Sequence, residues 1–256
     1  MYNVVENYPE YIVKKNEELR EEKHGLKITS LGVTSLLFDD GETKILFDGM
    51  VTRPGLLKTF FCRLDSKKNL VEYLAERFHM QDLKAIFVSH THYDHILDVP
   101  NFAKLSGADV YGSKSTLNVV YGNGVKKEHC HLFLPDSTFT IGDFKIKVLK
   151  SIHSKPGFYN NDLGKEVEKP LKFPAKMKEM PEGGSYDFYI EHRGLKLLIR
   201  PSCNYIVDSL DDYQADVLFL GIGGLFKLSD EEKEEFYKET VGKVKPSLFG
   251  PVHWDG

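Results

Sequence analysis

The sequence predicts an α/β protein built from two packed β-sheets with helices on their outer faces. Short apolar runs separated by turn signals recur along the chain, and segments of helical spacing interrupt them. The order is strands, helix, strand, helix, and then strands, strand, helix, strand, so two halves of similar layout follow one another. Two sheets that bury one face against each other and cover the other with helices satisfy that pattern.

Taken in order, residues 5 to 23 read as a charged helix with Tyr8, Tyr11, Ile12 and Leu19 as its apolar stripe. In "TSLLFDDGETKILFDG" the Asp40-Gly41 pair separates two apolar runs, which is a hairpin signal. "SKKNLVEYLAERFHM" has helical spacing at Leu70, Tyr73, Leu74 and Phe78, and "LKAIFVSH" is a buried strand that ends at His90. A helix-containing segment follows and stops near Gly107. A strand, "ADVYGS", and a short helix after Ser115 come next. The second half opens with strands around Gly142-Asp143 that deliver His153 at a strand end, and continues with a hairpin at Arg193-Gly194 and a buried strand, "ADVLFLGIGG". Ser229 and Glu232 form a capping box that opens the helix "DEEKEEFYKETVGKV", and "PSLFGPVHWDG" is a last strand carrying His253.

The 256 residues, 41% hydrophobic and 28% charged, can bury a sizeable core. Segment 154 to 184 is polar and rich in Pro, Gly and Lys. Strands resume after it, so it reads as a lid or insertion loop inside a single domain, 1–256. The formal net charge is −4 and no basic stripe is evident, which argues against a nucleic-acid surface. No run of eighteen apolar residues suggests a membrane span, and the N-terminus lacks the pattern of a secretory signal. Three cysteines, Cys62, Cys130 and Cys203, do not make a disulfide framework, so the expected location is the cytoplasm. Oligomeric state is not legible.

The stretch "VSHTHYDHILD" gathers three histidines and an aspartate between His90 and His95, at the end of an apolar run. Extended residues at i and i+2 project to one side, so His90 and His92 can grip one metal. Asp94 and His95, where the chain turns into a helix, can face a second ion, because a two-metal site spans only about 3.5–4 Å. The HExxH pattern is absent. "EHCH" (Glu128 to His131) is ligand-rich, but it stands apart from the other motifs and no second pair echoes it. His24, His79 and His192 are lone residues that read as surface or packing groups. "GIGG" at 221 to 224 lacks the strand–helix context of a dinucleotide site and reads as a tight turn.

"HTHYDH" resembles the His-x-His-x-Asp-His motif of the metallo-β-lactamase superfamily. The resemblance runs along nearly the whole chain: "GVTSLLFDDGETKILFDG" is similar to the family's opening hairpin, His153 to its third histidine, and "GPVHWDG" to its final one. It implies a four-layer αββα sandwich with two mixed sheets. It also implies that His90, His92 and His153 hold one ion and that Asp94, His95 and His253 hold another, with Asp94 also steering the nucleophile or passing a proton. Asp48 and Asp98 would orient histidine rings from behind. The implied ion is zinc, one or two per chain, with manganese or iron as alternatives.

One departure stands out. The family commonly has a metal-bridging aspartate where this chain reads "LLIRPSCNYIVD", with Ser202 in its place beside Cys203. Losing that carboxylate predicts a weakly held second ion or a single-ion site, unless a Cys203 thiolate substitutes; a small buried residue is the plainer reading of Cys203. The expected activity is hydrolysis of a small ester, lactone or phosphodiester by a metal-activated water. The rivals are a catalytically weak metal-binding protein and a di-iron redox member of the superfamily. Phe158, Tyr159, Phe173 and Met177 are candidates to line the cleft from the insertion. The chain stops two residues after Trp254, whereas related proteins often continue past this motif.

Overall fold

The computed structural model describes residues 25–155 and 161–254; the helix expected over 5 to 23, together with His24, Phe158 and Tyr159, lies outside them. The first half carries β1 (Lys27–Gly32), β2 (Ser35–Asp39), β3 (Lys44–Phe47), β4 (Arg63–Leu64), β5 (Ala85–Phe87), β6 (Asp109–Gly112) and β7 (Cys130–Leu132). The second half carries β8 (Thr138–Ile141), β9 (Phe144–Lys150), β10 (Ala175–Lys176), β11 (Tyr186–His192), β12 (Leu195–Arg200), β13 (Val217–Gly221) and β14 (Leu248–Val252). Among the described residues the α-helices are α1 (Leu56–Phe61), α2 (Lys68–Arg77), α3 (Tyr93–Ile96), α4 (Val99–Ser106), α5 (Lys114–Gly122) and α6 (Asp230–Tyr237).

Two six-stranded sheets result, in the orders β1-β2-β3-β5-β6-β7 and β14-β13-β12-β11-β9-β8, and β4 pairs with β10 separately. Each sheet is mixed. It begins as antiparallel hairpins and ends as parallel strands, β3-β5-β6-β7 in the first and β12-β13-β14 in the second. Parallel neighbours need long crossovers, and most of these carry the helices. The hairpin at Arg193-Gly194 is a two-residue loop with φ of 46° and 88°, the positive pair that a strand-matching turn requires.

Three apolar layers separate the four structural ones. Between the sheets lie Phe38, Phe47, Phe87, Phe144 and Phe188, with Ile146, Ile190 and Ile199. The alternation in "FKIKVLK" puts Phe144, Ile146 and Val148 into this layer and leaves Lys145 exposed. Val71 and Ala75 of α2, Phe102 of α4 and Val119 of α5 pack on the far face of the first sheet, and Phe236 of α6 packs beside Leu198 and Leu218 on the far face of the second.

Some expectations shift. The helix expected after Ser115 starts at Lys114, because the Ser113 hydroxyl accepts the Thr116 N–H at 3.3 Å and takes the capping position. The capping box at Ser229 and Glu232 is present, but α6 ends at Tyr237 and widens into a π-helical turn over Lys238–Gly242. Neither α1 nor the β4–β10 pair was expected; both are too short to leave a periodic signal. Phe173, a candidate for the cleft, is buried in the layer beneath the outer helices instead, where apolar packing claims it. Among the described residues no helix is long and apolar enough to cross a membrane.

Candidate metal centre

The candidate ligands gather where strands end on one side of the sandwich. β5 stops at Phe87, and the chain runs through Ser89 and His90 into α3, whose single turn presents Asp94 and His95. His153 follows β9, and His253 follows β14. The structure brings His90, His92 and His153 together in one group and Asp94, His95 and His253 in another, each with its donor atoms within 4.8 Å of one another. The two groups adjoin: the rings of His90 and His95 are 3.7 Å apart between centroids.

Hydrogen bonds fix how these rings are protonated. A neutral imidazole has one N–H and one lone pair, so a nitrogen that faces an obligate acceptor must donate and the other must accept. His95 Nδ1 lies 2.7 Å from Asp48, His153 Nδ1 lies 3.1 Å from the Ser154 carbonyl, and His92 Nε2 lies 3.1 Å from Asp162. His90 Nδ1 meets the Ser89 hydroxyl at 3.0 Å, and that hydroxyl already donates to Asp48. The remaining nitrogens therefore turn lone pairs inward. His90 Nε2 and His95 Nε2 are buried with no hydrogen-bond partner among the described residues, and His92 Nδ1 and His153 Nε2 face each other at 3.1 Å. An unpaired buried acceptor costs about 1–3 kcal/mol, and two lone pairs at that distance repel. A cation removes both penalties. Neutral imidazoles with one carboxylate are the donor set of zinc-type ions, so the residues fit the ion that the resemblance implies.

Burial, with the neighbouring His95 and His153, holds the His90 imidazole well below its ordinary range. Burial, followed by His92 and His95, brings His153 down to about 3. Both rings are thus neutral and available as ligands near pH 7. In the other group burial raises the Asp94 carboxyl, but His95 and His253 outweigh it and hold the carboxylate far below the usual range. His253 Nε2 lies 3.2 Å from Asp94. Burial lowers the His253 imidazole, and this bond and the Asp94 charge more than reverse the effect.

The backbone is strained around this second group. Val33, Asp48 and His253 adopt positive φ of 50°, 54° and 57°, and the His253 N–H donates to the Val33 carbonyl at 2.8 Å. Non-glycine residues in that region cost about 1–3 kcal/mol each and concentrate at functional sites. Gly223 backs His253: a Cβ there would lie 2.6 Å from its Nδ1.

Of the two carboxylates proposed to orient rings, Asp48 lies against one, accepting from His95 Nδ1 and from Ser89 N at 2.7 Å each. Asp98 does not. Its carboxylate accepts from Val51 N, Thr52 N, the Thr52 hydroxyl and the Ser66 hydroxyl, so it pins the loop after Asp48 instead of orienting a ring. Ser202 and Cys203 line a cavity of about 550 Å³ onto which His92, Asp94, His153 and His253 also open. Cys203 belongs to neither ligand group, and burial pushes its thiol up to about 11, away from the thiolate a metal needs. His129 and His131 flank Asp109 on β6, away from the two groups, and His192 is buried against Asp40. Asp162, the partner of His92, was missed. It lies in a polar segment, and only the fold reveals which aspartate there faces the metal motif.

The layered fold and the paired histidine groups define a protein of the metallo-β-lactamase superfamily. The family profile described as "Beta-lactamase superfamily domain" matches residues 43–230, and the chain belongs to that family. A curated relative from Heliobacterium modesticaldum, called a UPF0173 metal-dependent hydrolase, is 25% identical over 90% of this chain and 83% of its own length. One of the same name from Chloroflexus aurantiacus is 26% identical over 63% of this chain, and the match spans only 61% of that relative. Among solved structures, Igni18, a metallo hydrolase from Ignicoccus hospitalis, superposes with a TM-score of 0.58 at 16% identity, covering 90% of this chain and 82% of its own. That likeness concerns the fold.

Proposed function

We propose that this protein is a metal-dependent hydrolase acting on a small ester, lactone or phosphodiester. The observation that carries the reading is the inward turn of the ring nitrogens of His90, His92, His95 and His153, enforced by acceptors behind each ring. The name shared by the curated relatives supports it. His90, His92 and His153 would hold one ion, and Asp94, His95 and His253 a second, with zinc the best match to the donor set. Held by these residues, such an ion would supply a water acidic enough to ionise near pH 7 and a Lewis acid for the scissile oxygen. Asp94 stays ionised and can accept a hydrogen bond from the attacking water, fixing its direction. The segment 154 to 184 borders the cavity through Asp162, Met177 and Met180, and would shape which substrate enters.

The test joins elemental analysis of the purified protein to a panel of esters, lactones and phosphodiesters, run before and after chelation. Turnover that disappears on chelation, returns with zinc and is absent from His90→Ala is the expected result. Full activity after chelation overturns the proposal. Ser202 in place of the family's aspartate favours a second reading, a metal-binding protein without turnover. Bound metal with no metal-dependent turnover across the panel selects it.

A further inference from the structure

We propose that Asp162, supplied by the segment 154 to 184, is a positioning residue that fixes the His92 ring as a metal ligand. The inference rests on the reading of His92 as a ligand. His92 Nε2 lies 3.1 Å from Asp162 Oδ1, and the opposite nitrogen, Nδ1, is the one that faces His153. A carboxylate only accepts, so Asp162 holds the proton on Nε2 and leaves the Nδ1 lone pair for the ion. The pair is sheltered, with side-chain exposures of 12% for His92 and 20% for Asp162.

What holds Asp162 is a closed circuit of hydrogen bonds that returns to the metal motif. Lys165 N donates to the Asp162 carbonyl at 3.0 Å, and the Lys165 carbonyl accepts from Gly183 N at 2.9 Å. Gly164 N donates to the Glu182 carboxylate at 2.7 Å. The Glu182 carbonyl accepts from Thr91 N at 2.8 Å, and Thr91 precedes His92. Gly183 has φ of 68°, and a Cβ on it would lie 2.4 Å from Thr91 Oγ1, so this closure needs glycine. The carboxylate is thus positioned relative to His92 by the backbone of both segments. The other three rings take their acceptors from residues beside them or from the sheet: Ser89 for His90, Asp48 for His95 and Ser154 for His153. His153 meets only the first residue of the insertion, its own chain neighbour, whereas His92 takes its acceptor from a side chain 70 residues further on, so ligand geometry and the cavity wall are coupled through that one carboxylate.

Cobalt and zinc titration of the metal-free protein in competition with a chromophoric chelator tests this, with the cobalt absorption spectrum as a second readout. Asp162→Ala is expected to weaken one site by about 10–100-fold and alter its cobalt spectrum, as loss of a ligand's acceptor does elsewhere. Asp162→Asn, whose amide oxygen still accepts from Nε2, is expected to recover part of the loss. Melting of the metal-free variants separates this from misfolding, and the isosteric Asp162→Asn decides if Asp162→Ala is unstable. His92→Ala is the control. If it weakens binding while Asp162→Ala binds and absorbs like wild type, the positioning role is overturned and the ligand reading stands. If His92→Ala itself binds like wild type, the ligand reading fails and takes the positioning role with it.

Discussion

His95 and Asp48 meet at 2.7 Å between Nδ1 and a carboxylate oxygen, with both side chains buried. The same carboxylate accepts from Ser89 N, the Ser89 hydroxyl and the Thr34 hydroxyl, so one group gathers donors from four directions. Asp48→Ala leaves those donors buried and unpaired, at about 1–3 kcal/mol each for any that find no new partner. The expected outcome is a lower melting temperature for the metal-free protein and a second ion held about 10–100-fold more loosely. Asp48→Asn keeps an acceptor for His95 and is expected to be milder in both. Equal metal affinity in wild type and Asp48→Ala would show that the ring needs no such partner.

Ser202 lines the cavity beside His153 and His253. If it stands where the superfamily's aspartate bridges two ions, Ser202→Asp restores a negative ligand. The weaker site should then tighten by about tenfold or more, a change of about 1.4 kcal/mol. Elemental analysis after dialysis against limiting zinc reads this as more metal per chain. Unchanged stoichiometry and affinity would remove Ser202 from the site.

Phe188 is fully buried between the sheets, with its ring centroid 5.3 Å from that of Phe47 and 5.8 Å from that of Phe87. Truncating a large core aromatic to alanine costs about 3–5 kcal/mol. Phe188→Ala is expected to show that loss in denaturant unfolding, whereas Phe226→Ala, on an exposed ring, should change stability by no more than about 0.5 kcal/mol. A comparable loss at both positions would contradict the layered core.

Much of this was legible in the sequence, for physical reasons. Alternation such as that in "FKIKVLK" marks a half-buried strand whichever sheet it joins, and Asp40-Gly41 or Arg193-Gly194 marks a hairpin because few residues tolerate the backbone there. His90, His92, Asp94 and His95 stand out by crowding, whereas His153 and His253 were singled out as ligands only through the resemblance; the fold brings all six together in two adjoining groups. What stayed hidden depends on contacts across the chain. Asp98 and Asp48 look alike in sequence, yet one holds a loop and the other a ring. Asp162 is an ordinary aspartate until the segment around it folds back on Thr91 and carries its carboxylate to His92.

The pH dependence of the metal-free protein follows from the same burial. His153 titrates near 3 in the folded chain against an ordinary 6.5, and His90 is also held well below 6.5, in both cases chiefly by burial. Between pH 6.5 and about 3 the unfolded chain binds protons at these positions and the folded chain does not. Stability then rises with pH across that window, because the unfolded state carries the extra protons. His90 and His153 make melting temperature fall as pH drops below 6.5, with the stretch above about pH 4.5 reporting the histidines before most carboxylates titrate; His253, raised by Asp94, works the other way, its contribution present below 6.5 and lost as pH rises through its folded value. His153→Gln should flatten that upper stretch. Added zinc should raise the whole curve near neutral pH and lose its effect as protons compete for the rings. A metal-free melting curve that stays level from pH 6.5 to 4.5, or one that His153→Gln leaves unchanged, would mean that these imidazoles are not held neutral by the fold.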